Sequence, residues 1–107
     1  MGNAFDRPDD GITLELTGQL QRAVGRESVT LRIDNPQPRL GEIMSHLVRS
    51  YPGVADLVGE EESFASPSGG FPAGFLVIKD GVALQPNLKT EFSAGDSLTL
   101  MSMISGG

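Results

Sequence analysis

The chain contains no cysteine, which excludes disulfides, thiolate nucleophiles, iron–sulfur ligation and cysteine-based structural zinc. Its one histidine, His46, cannot build a metal cluster alone. Long apolar runs are missing as well. The longest unbroken run is Phe75-Leu76-Val77-Ile78, whereas a membrane-spanning helix needs roughly 20 apolar residues. The amino terminus lacks the basic-then-apolar layout of a signal peptide. Met1-Gly2-Asn3-Ala4-Phe5-Asp6 carries Asp where a myristoylation motif requires Ser or Thr. These absences predict a cytoplasmic protein without a membrane segment. Positive charge is scarce too: 8 Lys+Arg against 14 Asp+Glu leave a formal charge of −6. That balance argues against nucleic acid and anionic membranes as partners, because both require a basic face that releases phosphate counterions. An acidic chain favours basic partner surfaces.

What is present suffices for one small domain. The 107 residues are 38% hydrophobic and 21% charged, outside the low-hydrophobicity regime of disorder and too few for two domains. Residues 1–11, with Pro8, Asp9, Asp10 and Gly11, read as a flexible leader, and 12–107 as the folded domain. Ile12-Thr13-Leu14-Glu15-Leu16-Thr17 alternates apolar and polar residues, as a half-buried strand does. After a helical turn over Gln19–Val24, closed by Gly25, Val29-Thr30-Leu31-Arg32-Ile33 alternates again. Asn35-Pro36-Gln37-Pro38 stops that strand. From Arg39 to Tyr51, Leu40, Ile43, Met44, Leu47, Val48 and Tyr51 recur at spacings of three and four, which predicts an amphipathic helix. Pro52-Gly53 ends it, and Val54–Val58 suggests one more helical turn.

The stretch from Glu60-Glu61-Glu62 to Gly74 includes Ser66-Pro67-Ser68-Gly69-Gly70 and Pro72 and reads as a long mobile loop. Phe75–Lys79, Asp80-Gly81 and Val82–Leu84 predict a hairpin with a two-residue turn. Ser97–Ile104 closes the chain as a final strand, in which Leu98 and Leu100 face the helix while Thr99, Met101 and Met103 face away. The order β-β-α-β-β-β, with one main helix on a mixed sheet, is an α+β layout. Its core comprises Ile12, Leu14, Leu16, Val29, Leu31, Leu40, Ile43, Leu47, Val77, Leu98 and Leu100.

Most candidate catalytic features dissolve on inspection. His46 has no Cys or acidic constellation beside it in the sequence and reads as structural or solvent-facing. Glu60-Glu61-Glu62 do not converge on a cation without backbone help and read as a solvated acidic turn. Gly69-Gly70 lacks the strand-to-helix context and the lysine of a phosphate loop. Gly106-Gly107 is different. With 14 glycines in 107 residues, two terminal glycines arise by chance at roughly 2%, against roughly 0.5% at average usage, and here they follow a strand with no linker.

Together these features resemble the MoaD/ThiS group of ubiquitin-like sulfur carriers. The carrying residues are Gly18–Gly25 after the first strand, Leu40–Pro52 as a central helix, Phe75–Gly81 as a hairpin, Ala94-Gly95-Asp96-Ser97-Leu98, and the closing Ile104-Ser105-Gly106-Gly107. The resemblance covers residues 12–107 and implies a β-grasp fold of four to five strands covered by one helix. It implies no enzyme activity in the chain itself. Gly107 would be the reactive group, its carboxylate adenylated and converted to a thiocarboxylate. Gly106, Ser105, Ile104, Met103 and Met101 would form the partner-binding surface, with glycine keeping the tail narrow enough for an active-site channel.

The implied partners are a ubiquitin-activating-type adenylating enzyme and a larger synthase subunit or other sulfur acceptor enzyme. No cofactor would be bound; ATP and Mg would be used by the activating enzyme, and no metal site is expected. Molybdopterin synthesis is the leading pathway, although Met101-Ser102-Met103 replaces the aromatic and proline residues usual before that group's tail. Conjugation to lysines, tRNA thiolation and an inert β-grasp binding module remain alternatives.

Overall fold

The computed structural model describes residues 11–65, 74–84 and 87–102. Among the described residues, five strands and four α-helices follow one another as β1 (Ile12–Leu16), α1 (Gly18–Val24), β2 (Ser28–Leu31), α2 (Leu40–Ser50), α3 (Ala55–Val58), α4 (Glu61–Ala65), β3 (Phe75–Lys79), β4 (Val82–Leu84) and β5 (Ser97–Ser102), with a 3₁₀ turn at Pro52–Val54. The strands form one mixed sheet in the order β2-β1-β5-β3-β4. Its centre is a parallel pair in which Leu14 lies opposite Leu98 and Leu16 opposite Leu100. All other pairings are antiparallel. The period-two alternation of each strand sends one set of side chains under α2, and this is the β-grasp arrangement predicted above. Every residue of the predicted core is buried, from Leu14, Ile43, Leu47, Val77 and Leu100 at 0% exposure to Leu31 at 5%.

Helix α2 begins where its backbone donors find partners. The Leu40 N–H donates to the Thr90 carbonyl at 2.8 Å and the Gly41 N–H to the Leu88 carbonyl at 2.9 Å. A carboxylate oxygen of Glu42 accepts the Arg39 N–H at 3.2 Å and an amide proton of Asn35 at 2.8 Å. These contacts satisfy donors that a helix start leaves open. The 87–92 segment, to which the hydrophobic pattern assigns no element, is therefore the clamp on the helix. It buries Phe92 and pairs Glu91 with Arg39 as an isolated bridge. At the other end the helix stops at Ser50, and Pro52 opens the 3₁₀ turn, a position its fixed φ suits.

Strand β2 is shorter than the alternation over 29–33 predicts. It ends at Leu31 because Ile12, its partner there, is the first residue of β1, although Ile33 remains buried. Gly11, assigned to the leader by composition, is buried. Its carbonyl accepts the Gly95 N–H at 2.8 Å, and a Cβ on it would stand 2.7 Å from the Leu31 carbonyl oxygen. Residues 1–10 lie outside the described residues.

The largest correction concerns 60–74. Its first part is not a loop: Glu61–Ala65 forms α4, packed along α2 with Phe64 in the core. Gly41 permits this approach, since a Cβ there would stand 2.8 Å from the Phe64 carbonyl oxygen. Glu61 is likewise not part of a purely solvated turn, because it accepts hydrogen bonds from the Arg49 guanidinium, one of them at 3.1 Å. That hydrogen bond holds the Glu61 carboxyl below its ordinary value and raises Arg49. Residues 66–73 lie outside the described residues.

Candidate functional site

Strand parity divides the sheet into a face covered by helices and a face turned away from them. Along β5, Leu98 and Leu100 are buried whereas Thr99 and Met101 are half-buried, which places Met101 on the outward face as its position in the strand predicts. Its cross-strand partner there is Leu76, and Ile78 lies opposite Thr99. Leu76, Ile78 and Met101, all half-buried, form an apolar half-face over β3 and β5. The other half, over β1 and β2, is polar: Thr13 and Thr30 face each other with hydroxyl oxygens 3.3 Å apart, and Glu15 pairs with Ser28. Leu76 and Ile78 were absent from the sequence-level site. The signal was available, because Phe75 and Val77 occupy the inward parity of the same strand, but a continuous apolar run hides which residues point outward.

The final strand is anchored at its start. Gly95 adopts a positive φ of 96°, a conformation that favours glycine. Asp96 caps the turn by accepting the Ser93 N–H at 2.8 Å, while its own carbonyl accepts the Thr13 N–H at 3.0 Å. Lys79 approaches the Asp96 carboxylate at 3.5 Å. The Gly95-Asp96 pair noticed in the sequence thus sets the register of β5 against β1 and β3. The Asp80-Gly81 turn also matches its prediction, with φ of 54° and 80° at the two positions and Lys79 opposite Val82, as a type I′ hairpin requires.

Because β1 and β5 run parallel, their carboxyl ends lie at the same edge of the sheet. The Thr17 N–H donates to the Leu100 carbonyl at 3.3 Å, and the Cβ position of Gly18 lies 3.6 Å from the Ser102 Cβ. Ser102, the described end of β5, therefore lies between the β1–α1 corner and the apolar half-face. The remaining candidate residues, Met103, Ile104, Ser105, Gly106 and Gly107, lie outside the described residues. His46 sits half-buried on α2, and among the described residues no cluster of three His, Asp or Glu could hold a metal ion. No described helix is long and apolar enough to cross a membrane. The arrangement offers an outward apolar half-face beside the described end of β5.

No family model and no curated protein sequence matches the chain. Solved structures do. SAMP1 from Haloferax volcanii is similar at TM-score 0.70 and 23% identity, covering 91% of this chain and 99% of that one. CysO in the Amycolatopsis orientalis BexX/CysO complex is similar at TM-score 0.65 and 19% identity, covering 90% and 99%. A Pyrococcus furiosus protein assigned to molybdopterin converting factor subunit 1 is similar at TM-score 0.65 and 10% identity, covering 88% and 98%. At these identities the likeness establishes a shared fold. The chain resembles the MoaD/ThiS group in its motifs, and in three dimensions it has the β-grasp fold of these small proteins.

Proposed function

We propose that the chain is a carrier whose Gly107 carboxylate is activated by an ATP-consuming enzyme and converted to a thiocarboxylate for delivery to a second enzyme. The observation that carries this reading is the parallel β1–β5 pairing at the centre of the sheet. It brings Ser102, the described end of β5, to the β1–α1 corner beside an apolar half-face, and five residues, Met103 to Gly107, follow in the sequence. Five extended residues reach up to about 17 Å, enough to insert a glycine-ended tail into an enclosed site while the half-face rests on the enzyme outside it.

The chemistry needs no side chain from this protein. A carboxylate oxygen of Gly107 attacks the α-phosphorus of ATP, an acyl–oxygen–phosphorus linkage forms and pyrophosphate leaves. A hydrosulfide ion then attacks the acyl carbon and AMP leaves, giving –COSH. The likeness to the Pyrococcus furiosus protein supports a pterin precursor as the final sulfur acceptor, and the likeness to a protein solved as part of the BexX/CysO complex supports delivery to a partner enzyme. A second reading is favoured by the likeness to SAMP1, described as a small archaeal modifier protein: the same activated carbonyl captured by a lysine amine.

Intact mass of the protein from its own cell tests the proposal. Exchange of a carboxylate oxygen for sulfur adds about 16 Da, and alkylation separates that gain from methionine oxidation. An alkylatable gain at Gly107 supports sulfur carriage. A protein left unaltered after incubation with ATP, a sulfur donor and the activating enzyme of the same cell overturns it.

The half-face gives a separate expectation. Met101→Asp changes stability by less than about 1 kcal/mol, as substitutions away from the core do, yet weakens binding to the activating enzyme by about tenfold or more, because a charge must then be desolvated on docking. Melting curves and titration calorimetry check it. A large loss of stability with binding intact per folded molecule places Met101 in the core instead.

A further inference from the structure

The cations of this acidic chain are unevenly paired. Arg39 reaches Glu91, Arg49 reaches Glu61 and Lys79 reaches Asp96. Arg22 and Arg26 are exposed and make no ion pair among the described residues, Glu27 beside Arg26 included. Both stand at the edge where the chain leaves the sheet. Gly18, which opens α1, lies against Ser102, and Arg22 stands four residues further along the same seven-residue helix. Arg26 follows the Gly25 cap and precedes Glu27, whose carbonyl accepts the Leu16 N–H at 2.7 Å. Leu16 is the residue of β1 opposite Leu100, so Arg26 lies at the same edge.

We infer that Arg22 and Arg26 form a cationic contact at the base of the tail that fits an acidic rim around the channel of the activating enzyme. This rests on the reading of Gly107 as the activated terminus. The net charge of −6 favours basic partners for the molecule as a whole, but the surface nearest the tail departs from that average. Arginine suits such a contact because its planar guanidinium pairs with carboxylates through two parallel hydrogen bonds. Exposed charges at the rim of an interface act mainly on association, and they do so in a salt-dependent way. The two arginines therefore help to capture the carrier and leave the adenylation step itself unchanged.

Pyrophosphate exchange by the activating enzyme of the same cell, with the full-length carrier as the varied substrate, tests this. The double variant Arg22→Glu, Arg26→Glu should raise KM by about tenfold or more and leave kcat within about twofold. It should also flatten or reverse the rise of KM with salt expected for the wild type, with an unchanged melting temperature. Arg32→Glu, an exposed and equally unpaired arginine beyond Leu31 at the opposite edge, should keep the wild-type KM. A wild-type KM and salt response in the double variant overturn the inference alone. No exchange with the wild-type carrier overturns the proposed function and the inference with it. An equal rise in KM for Arg32→Glu assigns the effect to overall charge and overturns the inference as well.

Discussion

Deleting Gly107, or adding one residue after it, abolishes adenylation and thiocarboxylate formation and leaves the melting temperature unchanged. The argument is one of reach. An extended residue spans up to about 3.3–3.6 Å, and a displacement of about 1 Å at a reacting centre can cost on the order of a hundredfold in rate. On the proposed docking the carrier could not slide inward to compensate for the deletion, because the apolar half-face of Leu76, Ile78 and Met101 would meet the enzyme at a fixed distance from the tail. Nor can it tolerate the addition, since the new terminus would overshoot the α-phosphorus. Stability is indifferent, because the buried residues of the last strand, Leu98 and Leu100, lie seven or more residues before the end. Pyrophosphate exchange and intact mass on wild type and both variants decide the matter. If either variant is activated as well as wild type, the requirement for a terminus at Gly107 fails; if wild type itself is not activated, the inert binding-module alternative takes the place of the carrier reading.

Strands and helix were legible because their hydrophobic periods are clean. Ile12-Thr13-Leu14-Glu15-Leu16 can satisfy only a period of two and Leu40 to Val48 only a helical one, and the buried residues follow those periods. Helix α4 was not legible. Phe64 is its single described buried anchor, and one aromatic among Glu60, Glu61, Glu62 and Ser63 carries no period; its burial depends on the space left beside Gly41, a tertiary fact. Phe92 was hidden for the same reason, since only the hydrogen bonds from the start of α2 to Thr90 and Leu88 show that its segment is part of the fold. The site divides along the same line. Met101 could be placed on the outward face by parity alone, whereas Leu76 and Ile78 needed the register of β3 against β5. The position of Arg22 beside the exit needed the parallel pairing of β1 with β5.

The helix that closes the core supplies the counterpart to the tail variants. Leu47 is fully buried on α2, midway between Met44 and Tyr51, and its carbonyl accepts the Tyr51 N–H that ends the helix. Leu47→Ala should destabilise the protein by about 2–5 kcal/mol, the transfer loss of the removed atoms plus the cost of the cavity they leave. Against the total stability of about 5–15 kcal/mol usual for such a domain, and with no cysteine available for a disulfide, that is a large share. In a chain of this size each kcal/mol shifts the melting temperature by about 4–8 °C. Because α2 covers the face opposite Met101 and Leu76, the molecules that remain folded should be activated with the wild-type KM. Denaturant melts together with pyrophosphate exchange, corrected for the folded fraction, separate the two effects. A loss under about 0.5 kcal/mol, the range of surface substitutions, places Leu47 outside the core and breaks the packing of α2 on the sheet. A changed KM per folded molecule shows that the helix face and the docking face are coupled through the sheet, and the division of labour between them then fails.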